Sequence, residues 1–285
     1  MGLYIYPKLP STGEFIYRFF GAGLGNCLFI YSRSLIISKK RNAKLIRPTW
    51  EQFKIGPLIR CQLDSRYYQE VFDKKEISGF EKFKVLVKSK TIDEKYASDA
   101  KEGVILVKGL KDYYKSLYGY NKFLKKKIIN RASKNVIESY EKNRKYLNGS
   151  ITLHIRRGDY ELHEHLITSD DWFIKAINQI KSNDSAQKII VFSDAQPEEL
   201  STILNFNNVE YFNSGNALTD ILLLSESDLI IGSNSTFTGW GAFLGKVPVV
   251  LERRHFPPIH KENRIEVVTK DVNSRLINKL LDSKN

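Results

Sequence analysis

From residue 151 onward, short apolar runs rich in Ile and Val alternate with longer segments whose apolar residues fall near helical spacing. The run ITLHI (151–155) predicts a strand, and DWFIKAINQIKS (171–182) a helix facing inward through Phe173, Ile174, Ile177 and Ile180. KIIVFSD (188–194) is the next strand, ending at Ser193 and Asp194, and PEELSTILNF (197–206) a helix that Pro197 is placed to open. VEYFN, DLIIGSN and VPVVLE continue the strands; ALTDILLLSES, STFTGWGAFLG and VNSRLINKLLDS continue the helices, the second of them with a Ser/Thr cap at its start. Strands alternating with helices at this spacing predict an α/β fold with a parallel, doubly wound sheet. In such sheets ligands bind beyond the carboxyl ends of the strands, where Arg156, Asp194 and Asn234 all fall.

The first half is less regular. EFIYRFF (14–20) predicts a strand, GAGLGN (21–26) a glycine-rich turn, and CLFIYSRSLIISKK (27–40) a helix with apolar positions at Leu28, Tyr31, Leu35 and Ile36. Residues 120–147 have a helical pattern, and Asn148-Gly149 marks a turn. The expected division is therefore an N-terminal domain over 1–149 and a C-terminal domain over 150–285, a length that suits two domains.

Composition narrows the class. With 42% hydrophobic and 27% charged residues the chain is that of a folded protein, and no run of roughly 18 apolar residues is present to span a membrane. The start, MGLYIYPKLP, does not read as a secretory signal, and Tyr6 sits where a myristoylation signal has Ser or Thr. Cys27 and Cys61 are too few for a disulfide framework, and no Cys/His cluster has zinc spacing, so a cytoplasmic address is expected. Residues 1–150 carry 31 Lys and Arg against 14 Asp and Glu, whereas residues 151–285 carry 14 against 18. A basic half of this kind suits nucleic acid, an anionic membrane face or a phosphate-bearing substrate, or is a scatter of solvated lysines.

Two stretches carry candidate chemistry. GAGLGN is close to the dinucleotide fingerprint, but Asn26 replaces its third glycine, and the acidic residue expected about 20 positions later is absent around Asn42–Lys44. A Rossmann oxidoreductase is disfavoured; a tight structural turn or a close backbone approach to an anion remains. In ITLHIRRGDY (151–160), two arginines end a core strand and supply forked donors suited to phosphate oxygens. Their side chains should diverge, one towards a ligand and the other holding the loop, with Asp159 available to order it. The adhesion reading of Arg157, Gly158 and Asp159 requires an exposed loop of a secreted protein, which this context does not offer. Asp-x-Asp, P-loop and His-rich metal motifs are all absent, so arginine would have to stand in for a metal ion at a diphosphate.

The blocks GAGLGNCLF (21–29), HIRRGDY (154–160), VFSD (191–194) and SNSTFTGWGAFL (233–244) occur in an order that resembles the α-1,2-fucosyltransferase family, within the wider α-1,2, α-1,6 and protein O-fucosyltransferase group. Cys27 departs from the family's glutamine, and Gly239-Trp240 from its Trp pair. The resemblance implies a GT-B-like architecture of two Rossmann-like domains facing a cleft, GDP-fucose as donor, an oligosaccharide acceptor, and inverting transfer with no metal or other cofactor. It implies that His154, Arg156 and Arg157 meet the nucleotide and its diphosphate, that Ser235 and Thr236 bind phosphate, and that Asp220 reads the guanine base. Gly23, Gly25, Asn26, Ser193, Asp194 and Asn234 complete the expected donor site. Arg156 is the expected stabiliser of the leaving diphosphate. Asp159, Glu161, His163, Glu164 and His165 are the candidate bases, with Glu164 supported by the spacing of a glutamate in the α-1,6 relatives. A transferase using another GDP-sugar, and a non-catalytic basic module for nucleic acid or anionic lipid, are the competing readings. The basic half also suggests docking at the inner membrane face, to reach a lipid-linked acceptor.

Overall fold

The computed structural model describes residues 2–14, 17–53, 67, 68, 70–73, 75–158, 167–262 and 264–283. Among these, two compact units emerge, one holding residues 2–53 and 67–135, the other residues 136–283. Residues 136–147, which precede the turn at Asn148-Gly149, belong to the second unit, where Tyr140 donates a hydrogen bond to Glu226 at 2.5 Å.

The first unit is built on a four-stranded parallel sheet in the order β4-β1-β7-β6. Its strands are β1 (Leu3–Pro7), β4 (Lys44–Leu45), β6 (Thr91–Asp93) and β7 (Gly103–Val107). A small separate sheet joins β2 (Gly13–Glu14), β3 (Arg18–Phe19) and β5 (Gln52–Phe53). The predicted strand over EFIYRFF is thus divided, its described parts belonging to β2 and β3, while the central strand is Leu3–Pro7. The reason is Arg18, which is fully buried and donates to the carbonyls of Thr49 (2.6 Å), Pro10 (2.9 Å) and Trp50 (3.3 Å). A guanidinium satisfied by three carbonyls ties the backbone at Pro10 and at Thr49–Trp50 to β3, alongside the short ladders that β3 makes with β2 and β5.

Helix α1 (Leu24–Arg41) packs on β1, β4 and β7, and ends at Asn42 in the left-handed conformation, with Lys39, Lys40 and Arg41 in its last turn, where positive charge suits the helix dipole. Tyr4 and Tyr6 of β1 join Ile46, Val104 and Leu106 in an apolar cluster against Val85 and Leu86 of α2 (Gly79–Lys88). The 120–147 segment resolves into α3 (Asn121–Ile129), α4 (Lys134–Asn143) and a 3₁₀ turn over Arg144–Leu147.

The second unit has a six-stranded, wholly parallel sheet: β8 (Ile151–Ile155), β9 (Ile189–Ser193), β10 (Val209–Tyr211), β11 (Leu229–Gly232), β12 (Val249–Leu251) and β13 (Glu266–Val268). Their order in space is β10-β9-β8-β11-β12-β13. Renumbered from the first strand of the unit, this is 3-2-1-4-5-6, the doubly wound order in which the chain reverses direction between strands 1 and 4. The helices are α5 (Asp170–Asn183), α6 (Ser201–Leu204) after a 3₁₀ turn at Pro197–Leu200, α7 (Ala217–Leu224), α8 (Thr236–Gly245) and α9 (Ser274–Asp282). The α/β class and its parallel sheets match the expectation.

Strand periodicity decides what each face of β8 meets. Ile151, Leu153 and Ile155 enter a core with Phe173 and Ile177 of α5 and Ile277 and Leu280 of α9. The alternate residues Thr152 and His154 turn to the other face, where Thr152 bonds Ser227 and His154 meets α8.

Candidate active site at the strand reversal

A doubly wound sheet opens a crevice at its reversal point, outside the carboxyl ends of the strands. Here that point lies between β8 and β11, with His154 level with Gly232. The two strand ends are tied together: the Ser233 N–H donates to the His154 carbonyl (2.8 Å), and the Arg156 N–H donates to Ser233 Oγ (2.9 Å).

Immediately beyond β11, Ser235 caps α8 by accepting from the Thr238 N–H at 3.2 Å. The amino end of this ten-residue helix therefore sits at the reversal, with Thr236 as its first residue. Oriented N–H groups and the positive end of the helix dipole favour an anion there. Gly232 makes the close fit possible, since a Cβ at this position would overlap the Thr238 side chain.

Thr238 links the two sides. Its hydroxyl donates to the Ser233 carbonyl (2.8 Å), so its oxygen accepts from His154 Nδ1 at 2.7 Å. The imidazole thus carries its proton on Nδ1 and leaves Nε2 as an acceptor. Burial lowers the His154 pKa to about 4; the nearby Asp194 carboxylate opposes that shift and the Arg156 guanidinium adds to it. The ring is neutral at physiological pH and stacks on Phe237 at 5.6 Å.

The two arginines, both past the end of β8, diverge. The Arg156 guanidinium pairs with Asp194 Oδ2 at 2.7 Å, and Asp194 Oδ1 accepts the Arg157 N–H at 2.8 Å. Arg157 turns its own guanidinium to the Thr168 carbonyl (3.0 Å) and to Asp170 at the start of α5. Ser193 fastens β9 to β8 by donating to the Ile155 carbonyl at 2.7 Å and accepting from the Ala195 N–H at 3.0 Å. Asn234 Oδ1 accepts the His255 N–H at 3.2 Å, joining the end of β11 to the loop after β12.

His154, Arg156, Arg157, Ser193, Asp194, Asn234, Ser235 and Thr236 therefore share one edge of the sheet. Asp220 is in the first turn of α7, whose start follows β10, two strands from β8; its Oδ1 accepts the Ser214 N–H at 3.1 Å. Gly23, Gly25 and Asn26 open α1 in the first unit, where Gly23 holds the cap position and Tyr68 Oη accepts the Leu24 N–H at 2.9 Å. Within this turn Gly21 is sterically required: a Cβ there would come within 2.5 Å of both Arg18 Nη1 and the Pro10 carbonyl. Cys27, buried behind the turn, has its thiol pKa raised by desolvation. Asp159, Glu161, His163, Glu164 and His165 lie outside the described residues.

One cluster was not anticipated. Arg253 and Arg254 come just past β12, separated from it by Glu252, whereas Arg156 and Arg157 follow β8 directly; VPVVLERR beside ITLHIRR is the sequence signal. Arg254 pairs with Glu266 at 2.6 Å, and Arg253 with Glu252 at 3.0 Å. No group of three or more His, Cys, Asp and Glu side chains able to hold a metal ion occurs among the described residues.

Known proteins sharpen the assignment. The O-antigen biosynthesis glycosyltransferase WbnK of Escherichia coli is 36% identical over 101 residues, 33% of this chain and 33% of that protein. An alpha-1,2-colitosyltransferase of Escherichia coli is 28% identical over 104 residues, 33% of this chain and 36% of that one. The matched part spans about a third of the length of these relatives. The fucosyltransferase NodZ from Bradyrhizobium superimposes with a TM-score of 0.52 at 13% identity, over 87% of this chain and 94% of that one. NodZ alpha-1,6-fucosyltransferase co-crystallized with GDP gives 0.51 at 12% identity, over 86% and 93%. At this identity the likeness is one of fold, and it agrees with the expected GT-B-like architecture. The model of glycosyl transferase family 11 matches residues 104–251, more than half of the chain and three of the four blocks that carried the resemblance, so this protein belongs to that family.

Proposed function

We propose that the chain transfers L-fucose from GDP-fucose to a hydroxyl of an oligosaccharide acceptor, the 2-OH of a galactose, during surface polysaccharide synthesis. The observation that carries this reading is the anion-favouring edge at the β8/β11 reversal, where Arg156 and the amino end of α8 meet. The names of the relatives support it, one acting in O-antigen synthesis and the other forming an alpha-1,2 product.

Inverting transfer requires charge relief on the departing diphosphate, an activated acceptor hydroxyl, and alignment of the two. In this reading Arg156, held by Asp194, supplies the first, assisted by the amino end of α8 with Ser235 and Thr236. Arg157 keeps the loop in place through Asp170. His154 Nε2 accepts a hydrogen bond from the nucleotide, and Asp220 presents a carboxylate to the donors of guanine. Gly23, Gly25 and Asn26 let backbone approach the donor. Glu164 is proposed as the base, with Asp159 ordering the arginine loop. The reaction proceeds without a metal ion, the guanidinium taking that role, on the cytoplasmic side of the membrane and with a lipid-linked acceptor.

A second reading keeps the site and changes the sugar. The colitosyltransferase relative supports a donor other than GDP-fucose. A panel of radiolabelled GDP-sugars with galactose-terminated acceptors, assayed with and without EDTA, separates the two. Consumption of GDP-fucose with formation of an α-1,2 linkage, unaffected by EDTA, is expected. Failure of every GDP-sugar would overturn the donor class, and nucleic-acid binding in its place would favour the basic-module alternative.

A further inference from the structure

We infer that helix α2 is a membrane-docking element, which seats the first unit on a bilayer surface carrying anionic lipid. α2 is unusual for a helix in a folded unit, because none of its residues is fully buried. Phe80, Phe83 and Val87 are 80%, 63% and 67% exposed. At 100° per residue these three fall within an arc of about 60° and form one continuous apolar stripe. Lys84 and Lys88 lie along the side of that stripe, both exposed, and Lys90 follows just past the helix.

The opposite side of α2 is what holds it to the unit. Val85 and Leu86 pack on the Tyr4 and Tyr6 face of the sheet, and Lys82 turns inward to Glu14 (3.5 Å), Thr49 Oγ1 (3.1 Å) and the Tyr6 ring (4.8 Å). Burial lowers the Lys82 pKa, with Glu14 opposing the shift. The inward lysine is thus an anchor, and the outward lysines belong to a different surface. Past β6, Tyr96 at the end of the 3₁₀ turn Glu94–Tyr96 is 54% exposed, with the Lys95 ammonium over its ring at 4.8 Å.

Charge identifies the occupant. Large aromatic side chains exposed beside lysines on a short amphipathic helix fit the headgroup boundary, where rings enter the acyl edge and ammonium groups meet phosphate. Residues 1–150 carry 31 basic against 14 acidic residues, which adds a long-range attraction to anionic lipid. A second copy of the chain would bring this same positive surface against itself. Within α2 the one exposed acid is Glu81. No helix among the described residues is long and apolar enough to cross a membrane, so attachment through α2 is to the surface.

This deepens the proposed reading, since a surface-bound enzyme would meet a lipid-linked acceptor directly, but its test does not depend on the donor. The full chain, the triple variant F80S/F83S/V87S and the double variant K84E/K88E are sedimented with phosphatidylcholine vesicles, with and without phosphatidylglycerol. Wild type should bind the anionic vesicles, and each variant should bind at least about tenfold more weakly, while GDP-sugar turnover on a soluble acceptor stays unchanged. Equal binding by the variants, or no binding by wild type, overturns the inference. So does a wild-type dimer that the triple variant converts to a monomer, or a loss of nucleic-acid binding in place of vesicle binding. Loss of turnover in wild type itself would instead count against the proposed activity and leave vesicle binding as an independent measurement.

Discussion

Arg156 and Arg157 are neighbours in the chain with separate partners, and substitution should tell them apart. Arg156→Ala removes the guanidinium nearest the anion-favouring edge while leaving the Arg157 contacts to Thr168 and Asp170. Turnover should fall by about 10²–10³-fold with little change in the urea midpoint. Arg157→Ala should give a smaller loss of turnover together with a lower midpoint, because its guanidinium holds the Thr168 carbonyl in place. Steady-state kinetics alongside urea unfolding of both variants checks the split.

His154 gives a pH dependence of definite sign. Burial holds its folded-state pKa at about 4, whereas the unfolded chain titrates at 6.5. The unfolded state therefore takes up the proton first as pH falls. The stability associated with neutral His154 is fully present above 6.5 and is lost on descending through that value towards 4, by at most about 3 kcal/mol. His154→Gln should flatten this acid limb. Urea titrations of wild type and variant at about pH 5 and about pH 7.5 measure the difference, and parallel losses in the two proteins would assign the limb to other groups.

At the scale of elements, the tie between β8 and β11 depends on Thr238 and the absent side chain of Gly232. Gly232→Ala would push a methyl into Thr238 and should cost about 1–3 kcal/mol. Thr238→Val removes the acceptor of His154 Nδ1 and one of the donors to the Ser233 carbonyl, which keeps the Ser235 N–H, so the buried imidazole N–H is left unmatched at a cost of about 1–3 kcal/mol. Unfolding midpoints of both variants, with GDP affinity measured in parallel, test whether this contact positions the anion edge as well as stabilising it. The second unit was readable from sequence because its strands are short buried runs and its helices carry clear caps, as at Ser169, Asn216 and Ser235. β13 escaped notice because Glu266–Val268 is a three-residue edge strand with half-exposed side chains. In the first unit, Gly103–Val107 and Leu3–Pro7 pair as central parallel strands far apart in sequence, and local periodicity does not report such a pairing. Arg18 defeated the reading of EFIYRFF for a different reason: a charged residue satisfied by distant carbonyls cannot be told from a solvated one by pattern alone. The strand-end residues of the site were legible as types, but Thr238 as the link between strands was not, because that link exists only once β11 lies beside β8.

At the scale of the whole molecule, the second unit contains the complete reversal point and its own core. The apolar face of β8, β9 and β11 is covered by α5 and α9, and the other face by α7 and α8. A unit with its own core and sheet should fold independently. A fragment of residues 136–285 is therefore expected to unfold in one cooperative urea transition and to bind GDP, since Arg156, Asp194, Asn234, Ser235 and Thr236 are all within it. The same fragment lacks Gly23, Gly25 and Asn26. If those residues contact the donor as proposed, GDP-fucose should bind the full chain about tenfold more tightly than the fragment, corresponding to about 1.4 kcal/mol, and G23V in the full chain should remove most of that difference. Isothermal titration of both proteins with GDP and with GDP-fucose makes the comparison directly. Equal affinities would restrict donor recognition to the second unit and reassign the glycine-rich turn to packing around Arg18, a role that Gly21 already fills in the structure.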